Sequence, residues 1–122
     1  GLSWGVAFDK PGGFIGHDAL VAQRDAGVTR RLVQFRLDDP EPLLYHDEPV
    51  LRDGHLVGRI TSGMYGHTVG AALGMSYVGC EPGTPRAQVL EGAFEVDVNG
   101  VRVQATASYR PFYDPDSNRV RL

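Results

Sequence analysis

The chain has few of the residues that usually cross-link or anchor a small protein. Its 122 residues include one cysteine, Cys80, so no disulfide can form within the chain. A lone thiol is typical of a reducing compartment, which leads us to expect a cytoplasmic location, or the mitochondrial matrix in a eukaryote. There is no run of about 20 apolar residues to span a membrane and no basic-then-apolar leader. The formal charge of −3 argues against a nucleic-acid partner held by phosphate contacts.

Sequence signatures of metal sites and phosphate sites are also missing. The residues 1–5, GLSWG, match the G-x-S-x-G pattern of a nucleophile elbow, but without the strand before it and the prompt helix after it that this motif needs. None of the four histidines stands one helical turn from another, and no cysteine pair accompanies them. No G-x-G-x-x-G fingerprint or Walker loop is present, so no sequence rule assigns an FAD site to these residues. Asp53, Ser62 and His67 are the residue types of a hydrolytic triad, but Ser62 does not lie in a G-x-S-x-G elbow. The residues themselves therefore predict no catalytic group and no metal site.

Short β-type segments separated by glycine, proline and asparagine turns make up most of the chain. In the first of them, Val33, Phe35 and Leu37 share one face at period two. Asp53-Gly54 and Asn99-Gly100 are among the strongest short-range signals for a β-hairpin. The pattern predicts strands over residues 29–37, 49–51, 56–60, 71–78, 94–98 and 101–107.

Two helices are expected beside these strands. Residues 16–26 carry three alanines on one side, and Gly27 suits the position just after the helix. A second, short helix is expected from Thr84, as N-cap, through Leu90. The whole pattern predicts a mainly β fold: a small antiparallel barrel or jelly-roll with one N-terminal helix and one short helix.

The stretch from Arg59 to Gly70 reads RITSGMYGHTVG and is the most informative part of the chain. Its glycines permit a positive φ or a close approach of the backbone. We interpret it as a glycine-punctuated turn between two β-type segments, surrounded by hydroxyl groups and the imidazole of His67.

This stretch resembles the ITSG-x-YGHT-x-G segment in the C-terminal barrel domain of the aminomethyltransferase (glycine-cleavage T-protein) family. It is most similar to the version at the end of FAD-dependent sarcosine and dimethylglycine dehydrogenases. The resemblance extends to Trp4 and the FIG sequence at 14–16, and to the P-x-YDP sequence at 111–115. It implies that residues 1–28 are the end of a preceding folate-binding domain, and that residues 29–122 are the C-terminal barrel of a longer enzyme.

Aromatic and arginine side chains provide the candidate binding groups. Planar rings can stack on a heterocycle, and arginine can bind carboxylates in bidentate fashion. The alternative is that these residues belong to a barrel core and an ordinary charged tail. The group consists of Trp4, Tyr65, Tyr109, Arg110, Phe112, Tyr113 and Arg119. Because the C-terminal tail of the resembling family reaches toward folate, the resemblance implies Tyr113 and Arg119 as tetrahydrofolate-binding residues, with Trp4 and Tyr65 as further candidates.

The resemblance implies a parent enzyme that oxidises an N-methyl amine, such as sarcosine or dimethylglycine, on FAD and passes the one-carbon unit to tetrahydrofolate. The general base, an aspartate in the family, would lie upstream of Gly1. We therefore expect this part to close the folate pocket together with upstream folate-binding and flavin domains, and not to be catalytic alone. Two alternatives stay open: part of a flavin-free glycine-cleavage aminomethyltransferase, and a purely structural or partner-binding barrel.

Overall fold

The strands of the computed structural model, which describes residues 1–121, close into one antiparallel barrel. The elements are a 3-10 turn at Ser3–Gly5, helix α1 at His17–Ala26, strands β1 at Arg30–Leu37, β2 at Pro49–Arg52, β3 at His55–Gly66 and β4 at Ala71–Gly79, a 3-10 turn at Gln88–Leu90, and strands β5 at Phe94–Val98 and β6 at Val101–Ser108. The strand order around the barrel is β1-β4-β3-β2-β5-β6. The predicted mainly β barrel is confirmed.

The interior of the barrel is filled mainly by alternate residues of β1, β4, β5 and β6. Val33, Phe35 and Leu37 of β1 are fully buried, as their spacing predicts. The rings of Phe35 and Phe94 lie 5.4 Å apart, so they join β1 to β5 across the core. Burial of each such side chain stabilises the fold by roughly 1.5–3 kcal/mol. None of residues 1–28 is buried, so the apolar core belongs to the barrel alone.

Both predicted hairpin turns are confirmed by their backbone geometry. Asp53 and Gly54 have φ values of 51° and 80°, and Asn99 and Gly100 have 53° and 85°. Two consecutive positive φ values are the requirement of the type I′ turn that fits the twist of the flanking strands. Asp53 also accepts a hydrogen bond from the amide of Ala93 (2.9 Å), which ties the first hairpin to the start of β5.

The helices differ from the expectation in their extent. Helix α1 begins at His17, and Gly27 ends it with a φ of 81°. The second helix is a single 3-10 turn at Gln88–Leu90. It does not begin at Thr84, and its N-cap is Ala87, which makes no side-chain cap hydrogen bond. So short a segment gains too few hydrogen bonds to offset the cost of nucleating an α-helix. Within the described residues, no helix is both long and apolar enough to cross a membrane.

The glycine-rich stretch is mostly strand, so its interpretation as a turn was wrong. Strand β3 continues to Gly66, and the chain reverses only at residues 67–70. Gly63 lies directly opposite Gly74 on the neighbouring strand. A Cβ on Gly63 would lie 2.7 Å from the Cβ of Leu44, so the missing side chain makes room for that residue. Close approach, not a turn, explains this glycine.

Leu44 occupies the space that these glycines leave. It belongs to the loop between β1 and β2, and its side chain is 1% exposed. A Cβ on Gly74 would lie 3.0 Å from Leu44 Cδ1, so both glycines line its site. The same loop is held on β3 by two backbone hydrogen bonds, from Asp47 to the carbonyl of Ile60 (2.7 Å) and from Ile60 to the carbonyl of Glu48 (2.9 Å).

His17, at the start of α1, makes two contacts that change the pKa of its ring. The His17 ring lies 3.1 Å from the Asp18 carboxylate and 3.0 Å from the Phe8 carbonyl oxygen. Both contacts raise the pKa of His17 above its ordinary value of 6.5, and the hydrogen bond with Asp18 has the larger effect. The raised pKa means that protonated His17 stabilises the folded state fully below pH 6.5, and that this contribution is lost as the pH rises through the folded pKa.

We expect Asp18→Asn to lower the pKa of His17 toward 6.5, as measured by an NMR titration of its ring protons. Asp25→Asn is the control, because Asp25 lies on the same helix but pairs with Arg24 (2.9 Å). A His17 pKa that does not change in Asp18→Asn would contradict the pairing.

Candidate functional site

The four candidate folate-binding residues lie in three different parts of the molecule. Trp4 lies in the Ser3–Gly5 turn and is 85% exposed. Tyr65 is half-buried near the end of β3. Tyr113 and Arg119 belong to the segment after β6, in which residues 109–121 form no helix or strand. Two open surface clefts of the described residues, of about 290 and 380 Å³, are lined by none of the four.

Tyr113 and Arg119 lie next to each other in the tail. The guanidinium carbon of Arg119 lies 5.5 Å from the centre of the Tyr113 ring. Tyr113 remains 45% exposed, so much of the side chain is accessible to a ligand. An exposed ring beside a guanidinium group can stack on a flat heterocycle and pair with a carboxylate.

Asp114 organises this tail, and sequence reasoning did not assign it a role. Its carboxylate accepts hydrogen bonds from the backbone amides of Asn118 (2.8 Å) and Arg119 (3.0 Å). Its own φ is 45°, a conformation that aspartate tolerates better than most residues. Arg110 also binds the carbonyl of Pro115 (3.0 Å) and the carboxylate of Asp116. An aspartate followed by proline is a turn signal, and it could have indicated this role.

The segments that carry Trp4 and Tyr113 both pass the outward side of strand β1. A Cβ on Gly1 would lie 3.0 Å from the Leu32 side chain. The Phe112 ring lies 5.8 Å from the guanidinium carbon of Arg36. Leu32 and Arg36 alternate with the buried residues of β1 and so point out of the barrel. Three of the four candidates therefore belong to segments on one side of the barrel.

Tyr65 lies at one end of the barrel. It precedes the turn that connects β3 to β4, and its ring packs edge-on against His67 with 5.2 Å between the ring centres. This turn lies at the end of the barrel where β1 finishes, because β1 and β3 both run antiparallel to β4. Within residues 1–121, no aromatic pairing joins Tyr65 to Trp4 or to Tyr113.

The residue types of a hydrolytic triad are kept apart by the fold. Asp53 lies in the turn before β3, and His67 follows the end of the same strand. A strand of twelve residues spans about 40 Å, far beyond hydrogen-bonding distance. In the part of the chain that the structure describes, no group of three or more His, Cys, Asp or Glu side chains is placed to hold a metal ion.

The chain is a closed six-stranded antiparallel barrel followed by a tail in which Arg119 lies beside the ring of Tyr113. The model of the glycine cleavage T-protein C-terminal barrel domain matches residues 30–114. The chain belongs to this family, and the resemblance seen in its sequence is confirmed.

Individual relatives extend the match beyond the barrel. The chain is 45% identical over 121 residues to a 4-methylaminobutanoate oxidase (formaldehyde-forming) of Paenarthrobacter nicotinovorans. The matched region covers 99% of this chain and 14% of that protein. It is 40% identical over 114 residues to an aminomethyltransferase of Rippkaea orientalis, with 93% and 29% covered. A probable aminomethyltransferase of Pyrococcus furiosus is 32% identical over 114 residues. The chain spans less than a third of the length of these relatives.

Proposed function

We propose that this barrel is the C-terminal domain of an FAD-dependent enzyme that oxidises an N-methyl amine and passes the one-carbon unit to tetrahydrofolate. The observation that carries the proposal is the 45% identity to an oxidase of an N-methyl amine over 121 residues. That match includes residues outside the 30–114 range of the family model, where Trp4 and Arg119 lie. The preceding folate-binding domain, ending with residues 1–28, and a flavin domain would belong to the same chain.

The described residues fit one wall of a folate site and not a closed pocket. Tyr113 and Arg119 offer a ring and a cation on an open surface, and Trp4 is exposed in an N-terminal segment that begins beside Leu32 of β1. A ligand held there needs a second wall, which we assign to the preceding domain. For FAD, the described residues offer no comparable fit, and the flavin would belong to the parent enzyme.

Each tail residue would have a separate task at such a wall. Tetrahydrofolate, when bound, supplies the amine nitrogen that accepts the one-carbon unit. The ring of Tyr113 would stack on the ligand, and Arg119 would pair with a ligand carboxylate. Asp114 would act as a positioning residue, since it holds the backbone of Arg119 in place. Together they would exclude water from this side of the ligand.

The test is folinic acid binding by the full-length parent enzyme. We expect Arg119→Gln to weaken binding about tenfold, because a charge-assisted hydrogen bond is lost. Arg102→Gln is the matched control, since Arg102 lies on β6 with its charge beside Glu95 (3.9 Å). Under anaerobic conditions, sarcosine, dimethylglycine or 4-methylaminobutanoate should bleach the flavin equally in the parent enzyme, Arg119→Gln and Arg102→Gln. Absence of saturable folinic acid binding to the parent would contradict the folate role and favour a structural or partner-binding barrel.

A flavin-free aminomethyltransferase is the second candidate, and the matches at 40% identity to proteins of that name favour it. The visible absorbance spectrum of the parent separates the two, because a colourless parent that binds folinic acid would be an aminomethyltransferase. The product provides a further distinction. Released formaldehyde would resemble the reaction named for the Paenarthrobacter oxidase, whereas methylenetetrahydrofolate would indicate capture by folate.

A further inference from the structure

One end of the barrel contains two arginines and a tyrosine that no part of the proposed function uses. Arg31 shares the inward parity of Val33 on β1, and it lies opposite the buried Val78 of β4. Tyr109 follows β6, shares the inward parity of its buried residues and packs against the core. Arg86 covers the ring of Tyr109, with 4.2 Å between its guanidinium carbon and the ring centre. We call Arg31, Arg86 and Tyr109 the arginine mouth.

The arginine mouth has hydrogen-bond donors that are not used. The Nε–H of Arg31 and the hydroxyl of Tyr109 are both buried and have no hydrogen-bond partner among residues 1–121. The Nη2 of Arg31 donates a hydrogen bond to the carbonyl oxygen of Thr84, at 3.4 Å. A buried donor without an acceptor destabilises a protein, so both groups can donate to an acceptor from outside these residues.

The charges at the arginine mouth are also unbalanced. Within the described part of the chain, the ion pairs within 4.0 Å involve other arginines and two histidines, and none includes Arg31 or Arg86. Burial raises the pKa of Tyr109, and it does so against the opposing effect of these two positive charges, so the phenol stays protonated and able to donate. Two cations and one neutral donor form a site for a single negatively charged acceptor.

We propose that the arginine mouth binds a carboxylate. The guanidinium groups of Arg31 and Arg86 would bind its oxygens, and the Tyr109 hydroxyl would donate a further hydrogen bond. The carboxylate belongs either to a small molecule or to an acidic side chain of the remaining parent protein. The site is independent of the amine and folate chemistry proposed above, and either proposal can fail without the other.

The test follows the Arg31 Nε–H signal by NMR while acetate replaces chloride at constant ionic strength. In the 122-residue chain, we expect a saturable shift. Tyr109→Phe, which removes only the hydroxyl, and Arg86→Gln, which changes an exposed side chain, should each weaken acetate binding about tenfold. Arg30→Gln is the charge-matched control, because Arg30 points outward over Tyr77, with 5.0 Å to the ring centre. It should leave the affinity unchanged.

The outcomes separate a built site from general attraction. A shift that does not saturate, or an equal loss of affinity in Arg30→Gln and Arg86→Gln, would overturn the proposal. The same titration in the full-length parent identifies the source of the carboxylate. A signal already at the acetate-bound position, and insensitive to acetate, indicates a carboxylate of the parent, whereas a signal that still titrates indicates a small-molecule ligand.

Discussion

Replacing Gly63 by alanine is expected to destabilise the barrel by about 1–3 kcal/mol, the cost of adding an atom to a well-packed core. The new Cβ would lie 2.7 Å from the Cβ of Leu44, and 2.8 Å and 2.9 Å from its carbonyl carbon and oxygen. These are mainly backbone atoms, so a change of rotamer cannot relieve the clash. Urea unfolding of the variant, followed by far-UV circular dichroism, measures the lost free energy of unfolding.

Gly79→Ala is the matched control for this prediction. Gly79 also lies in the barrel, on β4, but the nearest atom to its new Cβ is the Val57 carbonyl oxygen at 3.7 Å, an ordinary contact. We expect its free energy of unfolding to stay within about 0.5 kcal/mol of the original. Equal losses in the two variants would show that Leu44 is not the reason for glycine at position 63.

Replacing Leu44 by alanine is expected to lower the free energy of unfolding by about 2–5 kcal/mol. The value should lie toward the upper end, because Gly63 and Gly74 line the resulting cavity and have no side chains that could move into it. The same urea experiment measures the loss. A cost below about 1 kcal/mol would mean that the loop contributes little to the core.

A second substitution makes this prediction more specific. A Cβ at position 74 would lie 3.0 Å from Leu44 Cδ1 and 2.9 Å from Ile60 Cδ1. Gly74→Ala should therefore cost less in the Leu44→Ala background than alone, with a coupling energy of at least about 0.5 kcal/mol. Gly63→Ala should show no such relief, since it clashes with the backbone of Leu44. Additive losses for Gly74→Ala would contradict the shared site.

Local features of the sequence predicted much of the fold. The alternation of Val33, Phe35 and Leu37 and the two hairpin turns depend on neighbouring residues, and the structure confirms them. The error at Arg59 to Gly66 has a different origin. Glycine was interpreted as a turn residue, whereas Gly63 serves a contact with Leu44, nineteen positions away in the sequence. No local pattern carries that information.

The candidate site was predictable to a smaller degree. Only the resemblance to a family pointed to Tyr113 and Arg119, and the structure adds that Asp114 positions the backbone of Arg119. Of the arginine mouth, the sequence indicated Tyr109 as a candidate binding residue but not Arg31, because Arg31 lies in a strand whose alternation is read from its apolar residues. Its inward position at the barrel end becomes apparent only when β1 is placed between β4 and β6.

The position of β1 between β4 and β6 has a consequence for synthesis on the ribosome. Leu37 pairs with Ala105, so one edge of β1 has no partner until nearly the whole barrel has been translated. Because translation proceeds at about 5–20 residues per second, this edge remains unpaired for several seconds after β1 is synthesised. Contacts so distant in sequence also close slowly. The nascent barrel therefore remains open until its last strand emerges, and during that time the exposed edge of β1 is the surface that a chaperone would need to cover.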